Sequence, residues 1–238
     1  MNLLDALRSR RLLAIVRGTD PGAATRTVLT LAEEGVSLIE VSLNTPDALG
    51  VISRARAELG PAAWVGAGTV VTPEDADGAA DAGADFVVTP AITPGLRTAA
   101  GRGLPLLAGA LTPTEIETAM RQGAAAVKLF PASLGGVRYL RALLDPFPEA
   151  PLVPVGGVDA GMAHEYLAAG AVAVGVGSPL VGDAASRGSL SDLRARARSF
   201  LAAVRAADDD TDSGADDDTD GGADGGTDGG ASAPWGQR

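Results

Sequence analysis

The chain has 238 residues, 46% of them hydrophobic, which supplies a core for one barrel-sized domain or two small ones. Its net charge of −11 is concentrated at one end: residues 206–238 hold ten Asp and one Arg, so the body before them is close to neutral and has no basic stripe to follow a phosphate backbone. With aromatics at only 3%, composition argues against nucleic-acid binding and for small-molecule ligands; the absence of Cys excludes disulfides and thiolate metal sites and fits a reducing cytoplasm.

The start of the chain, Met1 to Arg11, carries Asp5, Arg8, Arg10 and Arg11 and does not read as a secretion signal, and no run of 18 apolar residues is present to span a bilayer. Residues 2–10 read as one extra helix. From Leu12 onward a short run rich in Val, Ile, Leu and Ala is followed repeatedly by a turn and a helical stretch, with a period near 20 to 25 residues. Strands are predicted at Leu12–Val16, Leu38–Leu43, Trp64–Gly68, Phe86–Thr89, Leu106–Gly109, Ala126–Phe130, Leu152–Val155 and Ala173–Gly177. Helices are predicted around 22–34, 47–59, 74–82, 94–101, 114–122, 137–144, 161–169 and 190–205, several opened by Pro beside a polar cap, as in Thr72-Pro73-Glu74.

Eight strand-then-helix units predict a single-domain α/β protein, a (β/α)8 TIM barrel over residues 1–205, rather than an open doubly wound sheet. Residues 206–238 break the pattern with Asp, Gly, Thr, Ser and Ala in near-repeats. They are expected to form a disordered acidic tail, because so few apolar side chains do not offset the entropy of ordering. The Asp-Gly repeats lack the regular spacing of a calcium loop.

One residue stands out chemically. Lys128 is the only lysine against eighteen arginines, and it sits in the apolar run Ala126-Val127-Lys128-Leu129-Phe130-Pro131. A guanidinium is always protonated and is no nucleophile, whereas a desolvated amine can attack a carbonyl and form a Schiff base. The competing reading is a lysine paired with a carboxylate in the core. A second charge lies inside Leu38-Ile39-Glu40-Val41-Ser42-Leu43, where the period-two alternation sends Leu38, Glu40, Ser42 and Asn44 to one face and Ile39, Val41 and Leu43 toward the helices. Glu40 then points into the barrel, where a desolvated carboxyl holds its proton more tightly and suits proton transfer, or it serves as an ion-pair partner of Lys128 or Arg17. Both readings require the same proximity.

In a parallel barrel the strand C-termini form the site rim. Arg17 ends the first strand and is either a two-pronged ligand for a carboxylate or phosphate, or a rim charge. Thr69 and Pro90, following strands three and four, fall at the same rim. Gly66-Ala67-Gly68-Thr69 is a fragment of a dinucleotide fingerprint without its later glycine and acidic residue, and a tight loop explains it. The last two strands end in Val155-Gly156-Gly157-Val158 and Gly175-Val176-Gly177-Ser178, where glycines let backbone N–H groups approach a phosphate and Ser178 adds a hydroxyl. His164, the only histidine, falls mid-helix and reads as structural.

Taken together, Ile39-Glu40-Val41-Ser42-Leu43-Asn44-Thr45-Pro46, Gly66-Ala67-Gly68-Thr69-Val70, Thr89-Pro90, Lys128-Leu129-Phe130-Pro131-Ala132-Ser133, Val155-Gly156-Gly157-Val158 and Gly177-Ser178 resemble the 2-keto-3-deoxy-6-phosphogluconate and -galactonate aldolase family, over residues 10 to about 185. The resemblance implies a class I aldolase with no metal or other cofactor, a homotrimer that cleaves a phosphorylated keto-deoxy acid to pyruvate and glyceraldehyde 3-phosphate. Position by position it assigns Lys128 as the Schiff-base lysine and Glu40 as the general acid/base. It places Arg17, Thr69 and Pro90 around the keto-acid end, with Asn44, Phe130 and Val155 as further substrate contacts, and Gly156, Gly157, Gly177 and Ser178 on the phosphate. Asn44 and Val155 resemble the galactonate-type members. Activity on unphosphorylated 4-hydroxy-2-oxoglutarate stays open beside these, and so do a sugar-phosphate isomerase or synthase that forms no imine and a noncatalytic phosphate-ligand sensor.

Overall fold

A computed structural model describes residues 1–213, with side chains described to Ala207. Eight strands run in chain order, β1 (Leu12–Val16), β2 (Leu38–Ser42), β3 (Trp64–Gly68), β4 (Val87–Val88), β5 (Leu106–Ala110), β6 (Ala126–Leu129), β7 (Leu152–Pro154) and β8 (Val174–Val176). Between and around them lie α1 (Leu3–Arg10), α2 (Pro21–Glu33), α3 (Ala48–Leu59), α4 (Pro73–Asp81), α5 (Pro94–Gly101), α6 (Pro113–Arg121), α7 (Gly136–Leu144), α8 (Ala160–Ala168), α9 (Ser178–Val181) and α10 (Leu190–Ser213). The helix starts follow local chemistry. In α4 and α6 the Thr72 and Thr112 hydroxyls accept from the Asp75 and Glu115 amides while those carboxylates accept in return from the cap amides, and Pro occupies the first helical position, where its missing N–H costs nothing.

All strand pairs are parallel, in the order β7-β6-β5-β4-β3-β2-β1-β8. The β7–β8 seam closes the ring through a bridge between Val155 and Gly175 and a hydrogen bond from Val172 N to Leu152 O of 3.0 Å. This seam is thin for a reason. The Val155 amide donates to Leu129 O on the β6 side, so residue 154 faces β8 with its nitrogen, and Pro154 has no hydrogen to donate. The architecture is the eight-stranded TIM-barrel type that the alternating pattern predicts, with strand ends differing by at most one residue.

Two apolar layers follow from strand alternation. Leu12, Ala14, Val16, Ile39 and Val41 face the helices, while Leu13, Ile15, Leu38, Phe86, Val88, Leu107, Val153 and Val155 fill the barrel interior. The interior is sealed at the N-terminal end by α1, whose Leu3, Ala6 and Leu7 are buried in the same inner cluster. With the floor plugged, the barrel is open to ligand only at the C-terminal ends of its strands.

One helix end moves. The helix predicted over 190–205 runs as α10 to Ser213, and Ala207 is fully buried. Ala207 continues the buried face of Leu193, Ala197, Phe200 and Val204, so packing carries the helix beyond the point where the composition turns acidic. The rest of the tail expectation, residues 214–238, lies outside the described residues. Among the described residues no helix is long and apolar enough to cross a membrane.

Candidate active site

Lys128 projects from β6, paired between Gly109 of β5 and Val153 of β7, and only 7% of its surface is exposed. Glu40 projects inward from β2 and is 1% exposed. The two meet across the barrel, with Lys128 Nζ 4.0 Å from Glu40 Oε1, while Oε2 is buried with no hydrogen-bond partner. Desolvation pushes the Glu40 carboxyl above its usual range, opposed by the positive charges of Lys128 and Arg17. An acid that is desolvated, half-satisfied and next to an amine holds its proton more tightly than an ordinary carboxyl, which suits it to proton transfer.

Glu40 occupies space that the neighbouring strand leaves free. A Cβ at Gly68 would overlap the Glu40 carboxylate, so the absence of a side chain at the end of β3 is what lets the acid lie there. Directly after it, Thr69 has φ 63°, a left-handed conformation costly for a β-branched residue, and its Oγ1 lies 3.0 Å from Ser42 Oγ at the end of β2. A missing side chain at Gly68 thus makes room for the acid, and a strained Thr69 tied to Ser42 follows it at the end of β3.

Lys128 opens onto a cavity of about 360 Å3 whose wall includes Arg17, Thr69, Pro90, Phe130 and Val155 together with Gly156, Gly157, Gly177 and Ser178. Phe130 is 42% exposed and its ring centroid is 5.5 Å from Lys128 Nζ, close enough for a cation–π contact. Arg17 is exposed and makes no ion pair among the described residues, leaving its guanidinium available at the rim. Gly156 and Gly157 have φ of 100° and 76°, a turn that L side chains resist. The backbone N–H groups of Gly157, Gly177 and Ser178 make no hydrogen bond among the described residues. An amine and a carboxyl therefore lie deep, while an arginine fork at the end of β1 and unpaired amides after β7 and β8 stand at the rim.

Asn44 is the exception among the expected contacts. β2 ends at Ser42, so the alternation does not extend to 44; Asn44 sits in the following turn, exposed and off the cavity wall, with its amide donating to Ser42 Oγ at 3.4 Å.

The family model for KDPG and KHG aldolases matches residues 3–192. The chain belongs to this family. A probable 2-dehydro-3-deoxy-6-phosphogalactonate aldolase of Rhizobium meliloti is 38% identical over 202 residues, covering 83% of the chain and 92% of that protein. The KHG/KDPG aldolase of Escherichia coli K12 is 38% identical over 174 residues, covering 72% and 81%. Among solved structures, KDPG aldolase from Legionella pneumophila with pyruvate captured as a covalent carbinolamine intermediate superposes with a TM-score of 0.75 at 26% identity, covering 85% of the chain and 98% of that structure. The chain is accordingly a carbon–carbon lyase of the KDPG and KHG aldolase family.

Several wall residues of this aldolase were missed in the sequence: Ile15, Val158, Gly175, Pro179, Val181 and Gly182. Ile15 was recoverable, since it shares the inward face of β1 with Leu13. The four belonging to β8 and the turn after it carry no periodic signal; folding brings them beside Arg17 and Gly157.

Proposed function

We propose that the chain is a class I aldolase that cleaves 2-dehydro-3-deoxy-6-phosphogalactonate, and its gluconate epimer, to pyruvate and glyceraldehyde 3-phosphate through an imine on Lys128. The observation that carries this reading is the 4.0 Å approach of a buried amine on the cavity wall to a buried, partly unsatisfied carboxyl that is itself off the wall. The amine attacks the C2 ketone, and loss of water leaves a protonated imine. Glu40 takes the proton of the C4 hydroxyl as the C3–C4 bond breaks. The bonding pair flows into the imine nitrogen, and the departing half leaves as the aldehyde. The enamine is then protonated at C3, with Glu40 the nearest acid, and water releases pyruvate and restores the amine.

The cavity wall holds donors for both charged groups of such a substrate. Arg17 offers a fork for the keto-acid carboxylate, and the unpaired amides of Gly157, Gly177 and Ser178 offer donors for the phosphate. Thr69, Pro90, Phe130 and Val155 form the wall between. With Asn44 off the wall, Val155 is the remaining contact favouring the galactonate epimer; the identity to a relative named for that substrate points the same way. We carry over from the family resemblance a homotrimeric assembly, and from the absence of Cys a cytoplasmic location.

Incubation with pyruvate followed by borohydride, with peptide mass spectrometry, tests the mechanism. A reduced adduct on the peptide containing Lys128, lost in Lys128→Arg together with cleavage, is expected. No adduct on the folded chain, or cleavage that survives Lys128→Arg, leaves only an isomerase or a ligand-binding role. A comparison of kcat/KM on the two epimers then ranks the substrates.

A further inference from the structure

Arg196 lies on α10, outside the barrel and off the cavity wall, yet its guanidinium is committed to the backbone of the wall. Nε donates to Leu180 O at 2.7 Å and Nη2 donates to Val181 O at 2.9 Å, and no carboxylate pairs with it among the described residues. These carbonyls end α9, a helix of four residues. One turn of helix does not hold itself, because nucleation fixes many dihedrals for few hydrogen bonds. The internal bonds of the turn are few: the amides of Leu180 and Val181 donate to Gly177 O, and that of Gly182 donates to Ser178 O. The backbone then packs flush on the guanidinium, since a Cβ at Gly182 would stand 2.6 Å from Nη2. This segment contributes Gly177, Ser178, Pro179, Val181 and Gly182 to the cavity wall.

We propose that Arg196 is a positioning residue for phosphate recognition: from outside the barrel it holds the turn after β8 so that the Gly177 and Ser178 amides stand ready for the substrate phosphate. This rests on the reading of the cavity as the site of an aldolase for a phosphorylated keto-deoxy acid, and it adds a specificity-determining residue that never touches substrate. A fork of two parallel donors is what the geometry uses, and a lysine would supply only a point charge. The positive charge at the C-terminal end of α9 also complements the carbonyls that the helix itself leaves without a donor.

The test separates phosphate recognition from chemistry. Arg196→Met keeps the packing stem and removes the fork; Arg196→Lys restores one donor. Three readings are taken on each: KM for the phosphorylated substrate, inhibition by inorganic phosphate, and exchange of the pyruvate methyl protons, which needs the amine and the acid but no phosphate. The loss of about one net hydrogen bond's worth of order at the turn predicts a KM and a phosphate inhibition constant each raised about tenfold in Arg196→Met, with pyruvate exchange unchanged and Arg196→Lys intermediate. If Arg196→Met does not fold, Arg196→Gln, which keeps the stem and a single amide donor, is measured the same way. Unchanged KM and unchanged phosphate inhibition overturn the assignment, as does a fall in pyruvate exchange equal to the fall in cleavage, which marks a general structural role. If inorganic phosphate fails to inhibit the unaltered chain while pyruvate exchange proceeds, the phosphate reading itself falls and the assignment falls with it.

Discussion

At Glu40, the proposed proton transfer and stability pull against each other. Burial raises the carboxyl above the ordinary 4.5, with Lys128 and Arg17 only partly offsetting the desolvation. A raised carboxylate pKa means that the folded chain binds the proton more tightly than the unfolded one. The stability Glu40 contributes is therefore complete below about pH 4.5 and is lost as pH rises through its folded value. Glu40→Gln should abolish that loss: in urea denaturation the wild type should decline relative to the variant between acid and neutral pH. The same substitution should lower kcat by about a hundredfold or more while pyruvate still forms an adduct at Lys128. A variant with undiminished cleavage would remove Glu40 from the reaction. The identity of these two residues was legible in the sequence because each is a charge inside an apolar strand. The space for Glu40 was not, since Gly68 owes its importance to a contact across the β2–β3 pair that no local pattern records.

Among the elements, α1 is the one whose role depends on tertiary placement. As a segment it is a short helix with Asn2 as its cap, the Asn2 side chain accepting from the Asp5 amide at 2.9 Å. In the barrel its Leu3 and Leu7 are each 1% exposed and pack with Leu13, Leu38 and Phe86, closing the end opposite the cavity. Leu7→Ala should cost about 2 to 5 kcal/mol in a urea titration, the transfer of a buried leucine plus the hole it leaves. Because the plug is remote from Lys128, KM at moderate temperature should hold. α10 shows the limit of reading elements from composition: its acidic start of the tail would end a helix on propensity, yet burial of Ala207 and the docking of Arg196 on α9 belong to a helix that runs to Ser213.

For the whole molecule, the family resemblance carries a homotrimer. Sedimentation of the full chain is expected to give three times the chain mass, with a monomer as the result that removes the assembly. The alternation of apolar runs and capped helices determined the barrel and its strand order, because parallel pairing of eight such units leaves few ways to bury both faces of every strand. It also determined which side of each strand faces inward, and so marked Lys128, Glu40 and Arg17. Only the tertiary structure decided that Lys128 and Glu40 stand 4.0 Å apart, that Asn44 falls outside the cavity and that Arg196 braces its rim. The physical reason is the range of the forces concerned. Periodicity and caps act within a few residues along the chain, whereas the site is made by contacts between residues as distant as 17, 40, 128 and 177, which come together only when the ring closes and its floor is sealed.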